Sequence, residues 1–214
     1  GCGGGGLVHE LLELGHDVYG TDIKFKDGEH RDHLIKNNRL VLIENIESRS
    51  SIDSNLYKIP FKDSEFDIVI SDQTIEHVRN IEQYVFESRR VIKNGGLFYG
   101  YFPSRLKAIE PHVGVPFGGI ITKKQYYNFC YKVGLCDKKI KSAGDLIEYM
   151  KNDVSYRSDK DLEKFFMKFY KSIKFKPELI LENTDRKPAK YIRNTPFGTY
   201  LFGKLWSKFI ICEA

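Results

Sequence analysis

The sequence predicts an α/β fold in which a mainly parallel β-sheet carries helices on both faces. Three observations predict it: a glycine-rich segment at residues 1–6, short apolar strands that alternate with helical segments over the first 135 residues, and a last apolar run near the end. Parallel strands need helical crossovers, so this alternation indicates βα units. Ligands of such sheets bind beyond the carboxyl ends of the strands, and a site is expected there.

The individual elements follow from the apolar pattern. Helices are predicted where apolar residues recur at helical spacing, over residues 7–15, 81–92, 123–132 and 159–171. Strands are predicted where apolar and β-branched residues run together, at 17–21, 40–43, 67–71, 97–102, 138–142 and 209–212. The sequence Asn94-Gly95-Gly96 is a typical helix stop and ends the second of these helices.

The composition is that of a globular protein with one core and, we expect, one domain with a large insertion. The 214 residues are 41% hydrophobic and 29% charged, with a mean hydropathy of −0.41. The four cysteines lack zinc-type C-x-x-C spacing and a dense disulfide framework, so we predict no metal site and reduced thiols in a cytoplasmic protein. No apolar run reaches about 18 residues, and no transmembrane segment is predicted. Nothing in the sequence indicates an oligomeric state.

The glycine-rich opening fits two ligand-binding patterns. Gly1, Gly3 and Gly6 match G-x-G-x-x-G of dinucleotide sites, whereas Gly1, Gly3 and Gly5 match the tighter G-x-G-x-G. Asp22 ends the next strand at the distance expected for a carboxylate that accepts hydrogen bonds from ribose hydroxyls. These residues alone leave a nicotinamide-dependent oxidoreductase and a methyltransferase open.

A second segment separates the two classes. Residues 55–69 read NLYKIPFKDSEFDIV, and they are followed by Glu76-His77-Val78 and by Arg90-Val91-Ile92-Lys93-Asn94-Gly95-Gly96. With the glycine loop, this combination resembles the class I S-adenosylmethionine-dependent methyltransferases of the type 11 kind, over about residues 1–102. The resemblance implies a Rossmann-like sheet with an antiparallel last strand, and S-adenosyl-L-methionine as the cofactor.

The resemblance also implies a division of the chain. Residues 1–144 would form the cofactor-binding core, residues 145–205 a helical and aromatic insertion that serves as a substrate lid, and residues 206–214 the last strand of the core sheet. A nucleotide-holding glycine loop normally follows a buried strand. Because the sequence begins at Gly1, we expect an N-terminally truncated fragment that lacks its first strand.

The cofactor site is carried over from the family residue by residue. Gly1, Gly3 and Gly5 would line the methionine portion, and Asp22 would hold the ribose. Around the adenine and the edge of the cofactor, the implied residues are Asn55, Leu56, Ser71 and Gln73. Asn55 stands where the family usually has an acidic residue, and its side-chain oxygen can still accept from the adenine amino group.

The catalytic residues are predicted from the loop after the fifth strand. A hydroxyl acceptor needs a base, and His112 lies with Glu110 on a proline- and glycine-rich loop over the expected methyl-donor pocket. His112 is the first candidate for the base, and Asp72 and Glu110 are further candidates. His77 is predicted to satisfy a local hydrogen bond instead of moving a proton.

The predicted function is O-methylation of a small molecule such as a sugar or glycan precursor. A quinone or lipid ring as acceptor, a non-catalytic nucleotide-binding module and an NAD(P)-dependent oxidoreductase stay as alternatives. Residues 137–208 hold 17 basic and 10 acidic side chains, and such a basic segment attracts phosphate, nucleic acid or an anionic surface. Nucleic acid is not favoured, because the Asp/Asn-Pro-Pro-Tyr/Phe motif of amino-methylating enzymes is absent from the sequence.

Overall fold

The computed structural model describes residues 1–43, 57–183, 191–192 and 195–214. The helices are α1 Gly6–Glu13, α2 Arg31–Lys36, α3 Ile81–Val91, α4 Lys124–Lys132, α5 Ala143–Asn152, α6 Asp159–Phe166, α7 Glu178–Glu182 and α8 Pro196–Leu205, with a 3₁₀ turn at Ile75–His77. The strands are β1 Gly20–Asp22, β2 Leu40–Leu42, β3 Phe66–Asp72, β4 Ile92–Pro103, β5 Ser172–Phe175 and β6 Ser207–Glu213. Within these ranges no helix combines the length and apolarity that crossing a membrane requires.

The strands form two groups. β1 and β2 pair in parallel, and α1 and α2 pack against them through Val8, Leu34 and Leu40. The larger sheet has the order β3-β4-β6-β5, in which β3 and β4 are parallel while β6 runs antiparallel to both β4 and β5. This mixed α/β architecture and the antiparallel last strand confirm the predicted fold class.

The main core lies on one face of the larger sheet. Phe98 of β4 and Ile210 of β6 are fully buried there against Val85 of α3 and Phe166 of α6. A smaller core joins α4 and α5 to the loop that follows β4, through Val113, Val115, Tyr127, Cys130 and Leu146. The loop after β4 is thus anchored by apolar burial before any polar contact is considered.

Two sequence predictions were wrong in this region. The segment Asn94-Gly95-Gly96 does not cap a helix: α3 ends at Val91, and the chain continues directly into β4 with Gly95 at φ 79°. Ile92 is completely buried and pairs with Phe66, so tertiary packing decides the boundary. Residues 138–142 form no strand, because α4 and α5 pack on each other and this segment serves as their connection.

The part of the chain after residue 143 is more regular than its sequence pattern indicates. It contains α5 to α8, as the predicted helical character of 145–205 requires, but it also contributes β5 to the sheet. The side chains of Ile173 and Phe175 pack against the main core, which fixes this strand beside β6. The lid function assigned to residues 145–205 stays a prediction.

One polar network holds the loop before β3. The Arg90 guanidinium donates to the carbonyl oxygens of Ile59 and Phe61 at 2.8 Å, to Asp63, and to the Glu87 carboxylate at 2.7–2.8 Å. Glu87 in turn accepts from the Ile59 backbone N–H at 2.7 Å. The Glu87 and Arg90 side chains are only 3% and 10% exposed. Each of these buried charges is therefore balanced by the opposite charge of the other.

We predict that Arg90→Ala lowers the free energy of unfolding by about 3–5 kcal/mol, because it leaves the buried Glu87 carboxylate without its cation. The control is Lys93→Ala, which removes the exposed Lys93–Asp67 ion pair and should cost about 0–1 kcal/mol. Urea denaturation of both variants measures the difference. Equal losses in the two variants would contradict the role assigned to Arg90.

Candidate functional site

The glycine loop forms a tight turn that leads into α1. Gly3 and Gly5 have φ of 57° and 83°, a left-handed conformation that favours glycine. Gly5 is the N-cap of α1 and, as a glycine, has no side chain that could cap this helix. The first-turn N–H groups of α1 are therefore donors that suit a carboxylate or phosphate.

Gly1 brings this loop to the carboxyl end of β3. The ammonium group of Gly1 donates to the carbonyl oxygen of Thr21 at 2.6 Å, which attaches it to β1. A Cβ atom at Gly1 would lie 2.1 Å from Oγ1 of Thr74, two residues beyond the end of β3. Only glycine fits this contact, which joins the two strand groups at one edge.

Asp22 lies at the end of β1, directly beside the glycine loop. Its Oδ2 accepts from the Gly3 N–H at 2.8 Å, and its Oδ1 accepts from the Ile23 N–H at 2.8 Å. The carboxylate therefore holds the turn in shape. A carboxylate offers about four lone-pair positions, so acceptor capacity remains for a ligand hydroxyl.

Of the four other predicted cofactor residues, Ser71 and Gln73 lie within the described part of the chain. Asn55 and Leu56 lie outside the described residues. Ser71 is buried and accepts from the Tyr84 hydroxyl at 2.5 Å, and Gln73 donates its backbone N–H to Tyr101 at 2.7 Å. Gln73 has a φ of 48°, an uncommon left-handed conformation for a residue other than glycine. Ser71 and Gln73 both lie at the end of β3, next to Thr74.

Glu110 and His112 form a hydrogen-bonded pair on the loop after β4. The Nδ1–H of His112 donates to Oε1 of Glu110 at 2.7 Å, and the backbone N–H groups of His112 and Val113 donate to Oε2. The Tyr156 hydroxyl also donates to Oε1, at 2.7 Å. The Glu110 side chain is fully buried, whereas the His112 side chain keeps 18% of its surface exposed.

Glu76 and His77 join this pair from the 3₁₀ turn after β3. The His77 and His112 rings meet edge to face with centroids 4.7 Å apart. The Nδ1 of His77 lies 2.5 Å from the carbonyl oxygen of Asp153, which can only accept, so this nitrogen carries the proton. The predicted hydrogen bond of His77 is thus present, but its partner is 76 residues away.

The carboxyl groups of this pocket have displaced pKa values. Burial raises the pKa of Glu76 to about 7, opposed by a contact with its own backbone N–H and by the nearby His112, and reinforced by Asp72 and Glu110. Burial also raises the pKa of Asp72. For Glu110 burial acts in the same direction, but the hydrogen bonds from His112, Tyr156 and Val113 outweigh it and lower the pKa. The pocket thus holds acidic groups of very different proton affinity.

The structure therefore brings together most of the predicted residues, and it adds others. Asp72, Glu110 and His112 all lie near Glu76, and this group of polar residues is called the pocket. Gly1 of the glycine loop lies beside Thr74, at the end of β3. Sequence reasoning missed Glu76 as a pocket residue and Tyr156 as the hydrogen-bond partner of Glu110. The segment Glu76-His77 was a signal for the first, whereas a partner 46 residues away from Glu110 leaves no local pattern.

The sequence of residues 1–100 matches the family described as "Methyltransferase domain". These residues include the glycine loop, Asp22 and the end of β3. Residues 1–100 are thus a methyltransferase domain. The cofactor-binding roles of the glycine loop and Asp22 within this methyltransferase domain stay predictions.

Curated relatives of the methyltransferase domain differ in the atom they methylate. A ubiquinone biosynthesis O-methyltransferase of Pelagibacter ubique is 27% identical over 99 residues, 46% of this chain and 38% of the relative. The sterol 4-C-methyltransferase strm-1 of Caenorhabditis elegans is 27% identical over 101 residues, 47% of this chain and 29% of the relative. The matched part thus spans about a third of these relatives' own lengths.

Solved structures share the fold over the whole chain. An S-adenosylmethionine-dependent methyltransferase from Mesorhizobium loti has a TM-score of 0.54 at 11% identity, covering 100% of this chain and 88% of that one. The Haemonchus contortus phosphoethanolamine N-methyltransferase 2, solved with S-adenosyl-L-methionine, has a TM-score of 0.53 at 14% identity, covering 100% and 47%. At such identities the likeness establishes the fold alone.

We predict that Gly5→Ala destabilises the methyltransferase domain by about 1–2 kcal/mol or more, because it forces a left-handed φ on alanine. Its Cβ would also lie 2.7 Å from Cδ1 of Leu34. The matched control is Gly6→Ala, at the first helical position with open space around its Cβ, which should leave stability unchanged or raise it. Urea denaturation of the two variants tests this, and an equal effect at both positions would refute it.

Proposed function

We propose that the protein transfers a methyl group from S-adenosyl-L-methionine to an oxygen atom of a small molecule. One observation carries the proposal: the glycine loop contacts the end of β3, from which the chain leads directly to the residues beside His112. Gly1 touches Thr74, which precedes the pocket residues Glu76 and His77 by two and three positions. The glycine loop and Asp22 would hold the cofactor next to the end of β3.

The residues of the loop fit the proposed cofactor. S-adenosylmethionine supplies an electrophilic methyl group on sulfur when it is bound. The uncapped N-terminus of α1 suits its carboxylate, and Gly3 and Gly5 allow the backbone to approach it closely. Asp22 retains acceptor capacity for ribose hydroxyls. Ser71 and Gln73 are proposed to border the cofactor, with Asn55 and Leu56 at the adenine.

His112 is the proposed acceptor of the substrate proton. Glu110 binds Nδ1–H, so in the neutral imidazole Nε2 carries the lone pair. During methyl transfer to a hydroxyl group, Nε2 of His112 would take up the proton that the acceptor oxygen loses. Glu110, already engaged by four donors, acts as a positioning residue. Asp72 is kept as a further candidate to contact the acceptor.

A sugar or glycan precursor is the proposed class of acceptor. The polar lining of the pocket, with several carboxyl and imidazole groups, suits a ligand rich in hydroxyl groups. The basic surplus of residues 137–208 would favour a precursor that carries phosphate. A small molecule is also the acceptor class consistent with the predicted partners.

A quinone-like or other lipid ring is the second candidate. The aromatic side chains of Phe197 and Tyr200 on α8, with the neighbouring Trp206, are 75%, 62% and 42% exposed. Exposed aromatic rings of this kind suit contact with an apolar ring or a lipid phase. The ubiquinone relative supports this candidate by its name alone.

The binding part of the proposal is tested by calorimetry with S-adenosylhomocysteine. We expect micromolar binding that NADH does not displace, and a loss of affinity of about tenfold or more in Asp22→Asn, which removes the charge-assisted acceptor. Asp32→Ala, an exposed position on α2, serves as the control. Displacement by NADH would favour the oxidoreductase alternative and overturn the proposal.

The catalytic part is tested by transfer of labelled methyl groups to a panel of monosaccharides, nucleotide sugars and short-chain hydroxyquinones. His112→Gln is expected to lower kcat by about 10²–10⁴ while binding of S-adenosylhomocysteine stays unchanged. The acceptor that turns over decides between the sugar and the lipid-ring candidates. Unchanged turnover in His112→Gln would contradict its assigned role, and binding without turnover of any acceptor would favour the non-catalytic module.

A further inference from the structure

Three side chains of metal-ligating type meet in the pocket, although the sequence spacing predicted no metal site. They are Glu76 and His77, from the 3₁₀ turn after β3, and His112, from the loop after β4. One ligand atom of each lies within 4.8 Å of the other two. The three come from two distant parts of the chain, so the fold and not a local motif brings them together.

The environment of the Glu76 carboxylate points to a bound cation. Its side chain is almost completely buried, and no other residue among those described donates a hydrogen bond to either carboxylate oxygen. Buried carboxylates are normally hydrogen-bonded, paired with a cation or bound to a metal. Within the described part of the chain these are the two buried side-chain polar atoms left without such a partner.

The two imidazoles have the outer contacts that metal-binding histidines need. Nδ1–H of His112 donates to the Glu110 carboxylate, and Nδ1–H of His77 donates to the Asp153 carbonyl oxygen. A ligating histidine typically donates its other ring N–H to a carboxylate or a backbone carbonyl, which fixes the ring and its tautomer. In both residues this leaves Nε2 as the nitrogen with the lone pair.

The carboxyl groups of the pocket favour the binding of a cation. Asp72 and Glu110 lie close enough to Glu76 to disfavour its ionised form, so the pocket concentrates carboxyl groups. A divalent cation would compensate the negative charge of these carboxyl groups.

We propose that Glu76, His77 and His112 bind a divalent first-row transition cation such as Zn²⁺, Mn²⁺ or Fe²⁺. Two imidazole nitrogens and one carboxylate favour these ions over Mg²⁺ and Ca²⁺, which prefer oxygen ligands. Ligand atoms around tetrahedral zinc lie about 3.4 Å apart. The three ligand atoms lie within 4.8 Å of one another, so each pair must close by at most about 1.4 Å. Three protein ligands leave at least one coordination position open to another molecule.

This inference rests on the geometry of the three side chains and goes beyond the proposed function. It gives His112 a second role as a metal ligand. A cation bound to Nε2 excludes a proton from the same atom. The protein would then use His112 as a proton acceptor only in its metal-free state. Cation binding is therefore measured without cofactor or acceptor.

The test is a titration of tag-free protein, first dialysed against EDTA, with Co²⁺ followed by visible absorption and with Zn²⁺ followed by calorimetry. We expect one equivalent per chain, and an affinity lower by about tenfold or more in Glu76→Gln and in His112→Gln. His16→Ala, at an exposed position on the loop after α1, should bind as the unaltered protein does. Absence of stoichiometric binding, or equal affinity in all variants, would overturn the proposal.

A second readout separates a ligand from a residue that merely supports the fold. Zn²⁺ should raise the Tm of the unaltered protein and of His16→Ala, and at the same concentration should raise the Tm of Glu76→Gln clearly less. In EDTA, Glu76→Gln should be at least as stable as the unaltered protein, since it replaces a buried ionisable carboxyl group by a neutral amide of similar size. Binding of S-adenosylhomocysteine to the same samples reports on the proposed function independently. A Tm that rises equally in Glu76→Gln would contradict the site.

Discussion

The parallel pairing of β3 with β4 is the constraint on which the site depends. Because the two strands run in the same direction, their carboxyl ends reach one edge of the sheet, where β3 continues into Asp72–His77 and β4 into the loop of Glu110 and His112. The antiparallel β6 on the other side of β4 completes the core that holds this edge in place. Apolar burial thus determines where the polar residues meet.

Within that edge, the Glu110 carboxylate organises the polar side chains. It is fully buried and accepts hydrogen bonds from two backbone N–H groups, the His112 ring and the Tyr156 hydroxyl. These contacts connect the loop after β4 to the segment between α5 and α6, so the region after residue 143 forms one wall of the pocket. Among the residues that the structure describes, no other residue donates a hydrogen bond to the Glu76 carboxylate. The pocket thus contains one buried glutamate that is fully hydrogen-bonded, Glu110, and one that is not, Glu76.

The sequence alone supports the fold class and the cofactor residues more strongly than it supports the pocket. Gly3, Gly5 and Asp22 carry local signals, since a left-handed turn and a strand-terminal carboxylate leave recognisable patterns. The helix boundary at Val91 and the strand β5 depend on burial against distant residues, which no local pattern encodes. Glu76, Tyr156 and the Asp153 contact of His77 are likewise set by tertiary structure, with partners separated by dozens of residues.

We propose above all that the glycine loop and the Glu110–His112 pair serve one reaction. A crystal structure of the protein with S-adenosylhomocysteine tests it most directly. We expect the homocysteine carboxylate to bind at the N-terminus of α1, the ribose to bind at Asp22, and the sulfur to face the pocket of Glu76 and His112. A ligand bound elsewhere, or bound at the loop with its sulfur directed away from this pocket, would contradict it.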